Sequence, residues 1–225
     1  MIMITYPRAM PKVGADSISF EPQQVDYMSP ENSGRIGAVA AGFPLWRMKV
    51  SLTNMAEADS DEWRAFIASM RGSRRTFYAR DLSRPYPRLH SDGRPFGPAP
   101  SSWSQAITSD GDALLTLNGM LPNVVLSRGD YVGFRWDAAG AVAGSLGRRA
   151  LVRAVERGIV GADGSVTLTV EPPVPTIVPP GAAAYIDHAS CLMRIVSSST
   201  QLGVQVPGGY TPSGGVIEAV QDLLP

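Results

Sequence analysis

Glycine and proline are spread along the whole chain instead of being pooled in one linker. The 225 residues include 23 glycines and 19 prolines, well above the usual share of these two residues. Both residues interrupt regular structure, so a chain that contains them at short intervals has few long elements. We therefore expect many short strands joined by turns.

The composition predicts a folded chain with covered surfaces. Hydrophobic residues make up 44% of the sequence, which is ample for a buried core at this length. Twenty Lys and Arg balance twenty Asp and Glu, so no net charge favours binding to nucleic acid or to an anionic membrane surface. Charged residues reach only 18%, below an average of about 25%, which indicates assembly with other chains.

Cys191 is the single cysteine. It excludes an intrachain disulfide and a cysteine-cluster metal site, and it favours folding in an intracellular compartment. The first 20 residues lack a basic segment followed by an apolar one, and no later run approaches the roughly 18 apolar residues of a membrane-spanning helix. We expect neither a visible export signal nor insertion into a membrane.

The clearest local pattern is a strand that leads into a helix within residues 45–72. Apolar and polar residues alternate through 45–52, which predicts a strand with Trp46, Met48 and Val50 on its buried face and Arg47 and Lys49 on the other. An apolar stripe at i, i+3, i+4 and i+7 then predicts an amphipathic helix. Its members are Trp63, Phe66, Ile67 and Met70.

Residues at both ends of this helix suggest its caps. Asn54 or Asp59 is the candidate N-cap, and Asp59 with Glu62 resembles a capping box. Gly72 follows Arg71 at the position where glycine often ends a helix. The helix is therefore expected to begin just after Asn54 or Asp59 and to end before Gly72.

The rest of the chain is predicted to be extended. Residues 17–28 and 73–81 have strand character, residues 29–37 are rich in turn formers, and residues 82–103 form a proline-rich crossover. Short apolar runs after this crossover suggest a small barrel or sandwich, with a hairpin at 162–164. These runs are 113–117, 123–126, 130–136, 149–155, 165–171 and 182–186.

Catalytic candidates are few. His188 and Cys191 form the closest Cys/His pair, but residues at i and i+3 of an extended segment point to opposite faces. With His90 they are too few for a zinc site. Acidic residues at 59, 61 and 62 could perform acid/base chemistry on a glycan, although they fit the start of a helix better. We expect no enzyme activity, no metal and no cofactor.

Other short motifs have simple structural explanations. Tyr86, Phe96 and Trp103 could form a sugar-binding platform, but a loop that packs through these rings is the favoured explanation. The RGD at 128–130 matches an adhesion tripeptide, yet it fits the approach to a strand. The basic residues at 71, 74 and 75 could bind phosphate, although the helix C-terminus accounts for at least Arg71.

The order of these segments resembles that of a known family. WRMKVSL, a short acidic link, EWRAFIASMRG and then RTFYARD occur in this order, and they are similar to the distal tail proteins of long-tailed bacteriophages and prophages. The second half agrees in pattern over roughly residues 35–200. Its segments are GMLPNVVLSRGDYVGF, RRALVRAV, DGSVTLTVEPPVP, PPGAAAYI and CLMRIV.

The resemblance implies a mainly β fold with one packed helix. A split belt-type domain, residues 1–81 plus about 190–225, would form a ring, typically a hexamer closed by head-to-tail contacts. Residues 82–103 would cross over to an inserted β-barrel at 104–189, of the oligosaccharide-binding or galectin-like kind. The helical stripe would then cover Trp46, Met48 and Val50 in the belt core, and Arg35, Arg47 and Lys49 would line the ring or its interfaces.

The resemblance also implies partners and a location. The chain would be a virion protein at the tail tip, made in the host cytoplasm, and it would contact the tail tube, the hub and the tape-measure protein. Fibre or receptor-binding proteins could dock on the inserted domain, while stable binding to nucleic acid is not expected. Two alternatives stay open: a carbohydrate-binding module built on residues 100–188, and a hydrolase that depends on His188 or Cys191.

Overall fold

The structure, a computed structural model, describes residues 5–30, 36–53, 55–90, 97–141, 144–204, 210–211 and 215–223. These residues form short strands and one α-helix, so the predicted mainly β fold with a single helix is confirmed. The helix is α1 (Glu57–Met70), and two short 3-10 turns span Gly72–Arg74 and Arg88–His90. The strands are β1 (Arg8–Ala9), β2 (Ser17–Gln23), β3 (Asp26–Pro30), β4 (Ile36–Ala40), β5 (Leu45–Leu52), β6 (Met55–Ala56), β7 (Thr76–Ala79), β8 (Ser102–Ile107), β9 (Ala113–Asn118), β10 (Val125–Leu126), β11 (Tyr131–Trp136), β12 (Arg148–Ala154), β13 (Gly158–Ile159), β14 (Val166–Glu171), β15 (Ala183–Tyr185), β16 (Cys191–Ile195), β17 (Tyr210–Thr211) and β18 (Gly215–Gln221).

The first sheet combines strands from both ends of the sequence. Its order is β1-β7-β16-β18-β5-β2, and its pairs are antiparallel apart from the parallel pair β1–β7. Trp46, Met48 and Val50 of β5 are buried in its core, as expected for one face of an alternating strand.

The helix α1 packs on the same core. Trp63, Phe66 and Met70 are completely buried, whereas Ile67 is only half-buried at the edge of the cluster. The Phe66 ring meets the Phe77 ring of β7 edge-on at 5.2 Å. A single apolar stripe thus fixes the helix against the sheet.

The ends of α1 differ from the sequence prediction. The helix begins at Glu57, with Ala56 as N-cap and no side-chain hydrogen bond there, so the capping box predicted from Asp59 and Glu62 is wrong. The pairing of β6 with β17 fixes the chain immediately before Glu57, which explains why the helix starts there. At the other end Arg71 itself is left-handed, with φ 52°, ahead of Gly72. Asn54 lies outside the described residues.

The second sheet is formed by the middle of the chain. Its order is β15-β11-β12-β14-β9-β8, and its apolar side chains form a second core cluster. The two edge strands approach each other, because the Trp103 indole N–H of β8 donates to the Ala182 carbonyl, which precedes β15, at 2.8 Å. The sheet therefore curls around its core, as a small barrel does.

The hairpin predicted at residues 162–164 is only partly correct. A turn forms there, with the Gly161 N–H donating to the Ser165 carbonyl at 2.8 Å. However, β13 pairs with β10 and not with β14. The amide of Val160 donates to the carbonyl of Val124. The strand before the turn therefore forms its hydrogen bonds with a segment that is more distant in sequence.

The two sheets meet through specific contacts. The Trp46 indole N–H donates to the Leu151 carbonyl of β12 at 2.7 Å, and the Tyr131 hydroxyl of β11 donates to Asp81 Oδ2 at 3.0 Å. Arg153 forms an ion pair with Glu21 across the same junction. No helix within the described ranges is long and apolar enough to cross a membrane.

Candidate functional site

A two-stranded ribbon, β3 and β4, stands apart from both sheets. Residues 17–28 were predicted as one extended segment. In the structure β2 ends at Gln23 and a separate strand, β3, begins at Asp26. Among the described strands, β3 pairs with β4 alone. The predicted hairpin chemistry at 29–37 is consistent with this pairing, although residues 31–35 lie outside the described part. We call residues 25–30 and 36–41 the apolar ribbon.

Both faces of the apolar ribbon are apolar and exposed. Tyr27 and Val39 are paired on one face and are 72% and 68% exposed, while Met28 (72%) and Ile36 (66%) lie on the other face. Val25, at the base, is 58% exposed. Asp26 is the sole charged residue of the ribbon.

Such a ribbon is expected to have little stability on its own in a monomer. An isolated two-stranded hairpin is marginally stable in water, and its outer strand edges can pair with another chain. Contiguous exposed apolar surface is typical of protein–protein contact sites. The ribbon is therefore the strongest candidate for a functional surface, and it fits a role in binding protein.

Sequence reasoning did not single out the ribbon residues as a site. The available signal was the loss of alternation, since Tyr27 and Met28 are consecutive large apolar residues in a strand, with few charges nearby. A strand with one buried face would place a polar residue at one of these two positions.

The predicted ring residues lie on the outer face of the first sheet where they are described. Arg47 and Lys49 are exposed and border a groove of about 310 Å³. Lys49 Nζ lies 3.4 Å from Glu218 Oε1. Hydrogen bonding to Ser199 and the nearby Lys49 lower the pKa of Glu218. This face therefore mixes charges of both signs, and Arg35 lies outside the described residues.

The Cys/His pair is not a catalytic dyad in this geometry. Cys191 is completely buried in β16, and burial raises the pKa of its thiol well above the usual range, so the reactive thiolate is disfavoured. The His188 ring instead contacts the Asp187 carboxylate and meets the Tyr86 ring edge-on at 4.6 Å. The two side chains therefore contact different groups.

The acidic residues near the helix start do not form a metal site. Asp59, Asp61 and Glu62 belong to the first two turns of α1. Within the described ranges, no group of three or more His, Cys, Asp or Glu side chains could hold a metal ion. Their position fits the positive end of the helix dipole.

The aromatic platform and the RGD motif are both engaged in the fold. The Trp103 ring packs edge-on against Phe134 at 4.7 Å and Tyr86 packs on His188, while Phe96 lies outside the described residues.

Asp130 of the RGD motif is 1% exposed and accepts the Ser127 N–H at 2.7 Å. Burial raises the pKa of Asp130 despite this bond. Its carboxylate is therefore inaccessible to a receptor.

No model of a protein family matches the chain, and no curated protein matches its sequence. The assignment of function therefore depends on the residues and surfaces of this chain.

Proposed function

We propose that this chain is a structural, non-enzymatic protein of a phage tail tip, which forms a ring at the distal end of the tail. The ring joins the tail tube to the hub and the host-attachment apparatus. Tape-measure, hub and fibre or receptor-binding proteins are its neighbours, and the assembled virion tail is its location after synthesis in the host cytoplasm.

The exposed apolar ribbon is the observation that carries this proposal. Tyr27, Met28, Ile36 and Val39 are each about two-thirds exposed or more on the described chain, and an apolar surface of this kind is typical of a site that another protein covers. Two further features support the proposal. The motifs of residues 46–81 follow the order found in distal tail proteins, and the low content of charge suits faces covered by neighbours.

Imaging tests the proposal. We expect the purified full chain, viewed by negative-stain electron microscopy, to form rings with a central opening. Isolated particles of monomer size at every concentration would contradict the ring. A glycan array on the same sample tests the carbohydrate-binding alternative, and specific binding to one class of glycan without rings would favour that module instead.

A further inference from the structure

The two ends of α1 carry opposite charge. The acidic end consists of Glu57, Asp59, Asp61 and Glu62. The basic end consists of Arg8, Arg71, Arg74, Arg75, Arg148 and Arg194. A helix of 14 residues is about 21 Å long, so the two ends cannot pair within one molecule.

The basic end gathers residues from distant parts of the sequence. Tyr6 donates its hydroxyl hydrogen to the Ser69 carbonyl at the end of α1, and the Arg75 guanidinium lies over the Tyr6 ring at 4.2 Å. Arg194 Nη1 donates to the Ser73 carbonyl at 2.9 Å. Beside Tyr6 a cleft of about 500 Å³ opens, and Arg148 and Arg194 line it.

The carboxylates close to the basic end are already engaged. Asp222 accepts a hydrogen bond from Arg194 Nε at 2.7 Å. Asp137 accepts the backbone N–H groups of Leu146 and Gly144, which lower the pKa of its carboxyl. Within the described chain, Arg148 and Arg74 have no ion-pair partner. The basic end therefore keeps an excess of guanidinium groups.

The helix dipole does not explain this arrangement by itself. Acidic residues near the N-terminus of α1 are favourable for the dipole, but the last turn of α1 contains no basic residue. Arg8, Arg148 and Arg194 come from β1, β12 and β16. Three separate strands thus deliver positive charge to one end of the molecule.

We infer that the acidic end of one copy of this chain docks on the basic end of the next copy. Guanidinium groups bind carboxylates through paired hydrogen bonds, and Glu57 and Glu62 are exposed carboxylates without an ion-pair partner in the described chain. Lys12 and Arg64 lie near the acidic end, but Arg64 already donates to Ser60 Oγ and the Gly203 carbonyl.

Complementary patches at different places on one molecule produce a heterologous, head-to-tail contact. Such contacts close into a ring when the rotation between copies allows it. The inference rests on the proposed ring, and it adds the pair of surfaces that sets the direction of each copy.

Charge reversal tests the contact. One variant, Glu57→Arg/Glu62→Arg, makes the acidic end basic, and a second, Arg74→Glu/Arg148→Glu, makes the basic end acidic. We expect each variant alone to lose self-association at least tenfold in sedimentation velocity at low salt. An equimolar mixture should recover it, because every reversed end then meets an end of opposite charge.

Controls separate this effect from net charge and from folding. Asp110→Arg/Glu156→Arg makes the same change in net charge as Glu57→Arg/Glu62→Arg, at exposed residues beyond the helix, and it should associate like the wild type. Glu57→Gln/Glu62→Gln weakens association without placing positive charge at the helix start. Circular dichroism establishes that each variant is folded.

The outcomes distinguish this contact from the ring itself. Wild-type rings that persist in both reversed variants overturn the contact and leave the ring intact. One-to-one pairing of the two reversed variants without wild-type rings supports the contact and contradicts the ring. A mixture that associates no better than its two components overturns the contact in either case.

Discussion

Tyr131 links the two sheets through both its hydroxyl group and its ring. Its hydroxyl donates to Asp81 Oδ2 at 3.0 Å, and its ring lies edge-on to Trp46 at 5.7 Å. Burial raises the pKa of Tyr131 above its ordinary value of 10.0, and the adjacent Asp81 charge adds to the shift. The folded protein therefore keeps this proton at alkaline pH values at which the unfolded chain loses it.

This shift predicts a loss of stability at alkaline pH. The contribution of Tyr131 is complete below the unfolded pKa of about 10 and decreases as the pH rises above it, because ionisation then favours the unfolded chain. Urea unfolding at several alkaline pH values measures the effect. We expect Tyr131→Phe to be less stable at neutral pH and to lose stability less steeply; an identical pH dependence in both proteins would contradict this role.

Cys191 provides a second test at the scale of single residues. Because its side chain is completely buried and burial raises the pKa of its thiol, it should react slowly with a thiol reagent in the native protein. We expect rapid reaction only after unfolding in guanidinium chloride. Fast modification of the native chain at mildly alkaline pH would revive the hydrolase alternative, and His188→Ala would then be the next variant to assay.

At the scale of elements, the N-cap of α1 can be changed to increase the stability of the protein. Ala56 is the N-cap, with φ −62° and ψ 153°, and provides no side-chain acceptor. Ala56→Ser should raise the free energy of unfolding by about 1 kcal/mol, because a serine at this position accepts an N–H of the first turn. Chemical denaturation measures the change.

Two comparisons make the cap prediction specific. Ala65→Ser, at an exposed position inside the helix, should lower stability by a few tenths of a kcal/mol. Asp59→Ala should change stability by less than about 0.5 kcal/mol, because the higher helix propensity of alanine offsets the lost interaction of Asp59 with the helix dipole. A loss of about 1 kcal/mol or more in Asp59→Ala would restore the capping box that the structure excludes.

Local patterns in the sequence were sufficient for the strand β5 and for the helical stripe. Alternation at 45–52 and the spacing of Trp63, Phe66 and Met70 are properties of adjacent residues, so they can be recognised without knowledge of the fold. The start of α1 could not be predicted in this way, because it depends on the pairing of Ala56 with Tyr210. The pairing of β13 with β10 is also a contact between separate segments.

The same limit applies to the candidate sites. The apolar ribbon has a local signal, the consecutive Tyr27 and Met28, which was available in the sequence. The basic end has none, since Arg8, Arg148 and Arg194 are brought together by the sheets. Burial of Cys191 and Asp130 likewise depends on neighbours that are distant in sequence.

At the scale of the whole molecule, the described chain has two kinds of surface for which one copy provides no partner. The apolar ribbon exposes large side chains on both of its faces, and the two ends of α1 carry complementary charges. Apolar burial stabilises an interface, whereas charge complementarity determines orientation and register. Together they are consistent with a protein that acts by assembling.

The mass of the assembly in solution tests this role most directly, by native mass spectrometry of the wild type and of Tyr27→Thr/Val39→Thr. Threonine retains strand propensity while removing apolar surface. The matched control is Val155→Thr/Ile159→Thr, at residues 45% and 54% exposed directly after β12 and in β13, away from the ribbon. We predict a closed oligomer, a hexamer by family resemblance, for the wild type and the control, and a monomer for the ribbon variant. A ribbon variant that assembles like the wild type, or a wild type that stays monomeric at every concentration, would contradict the proposed role.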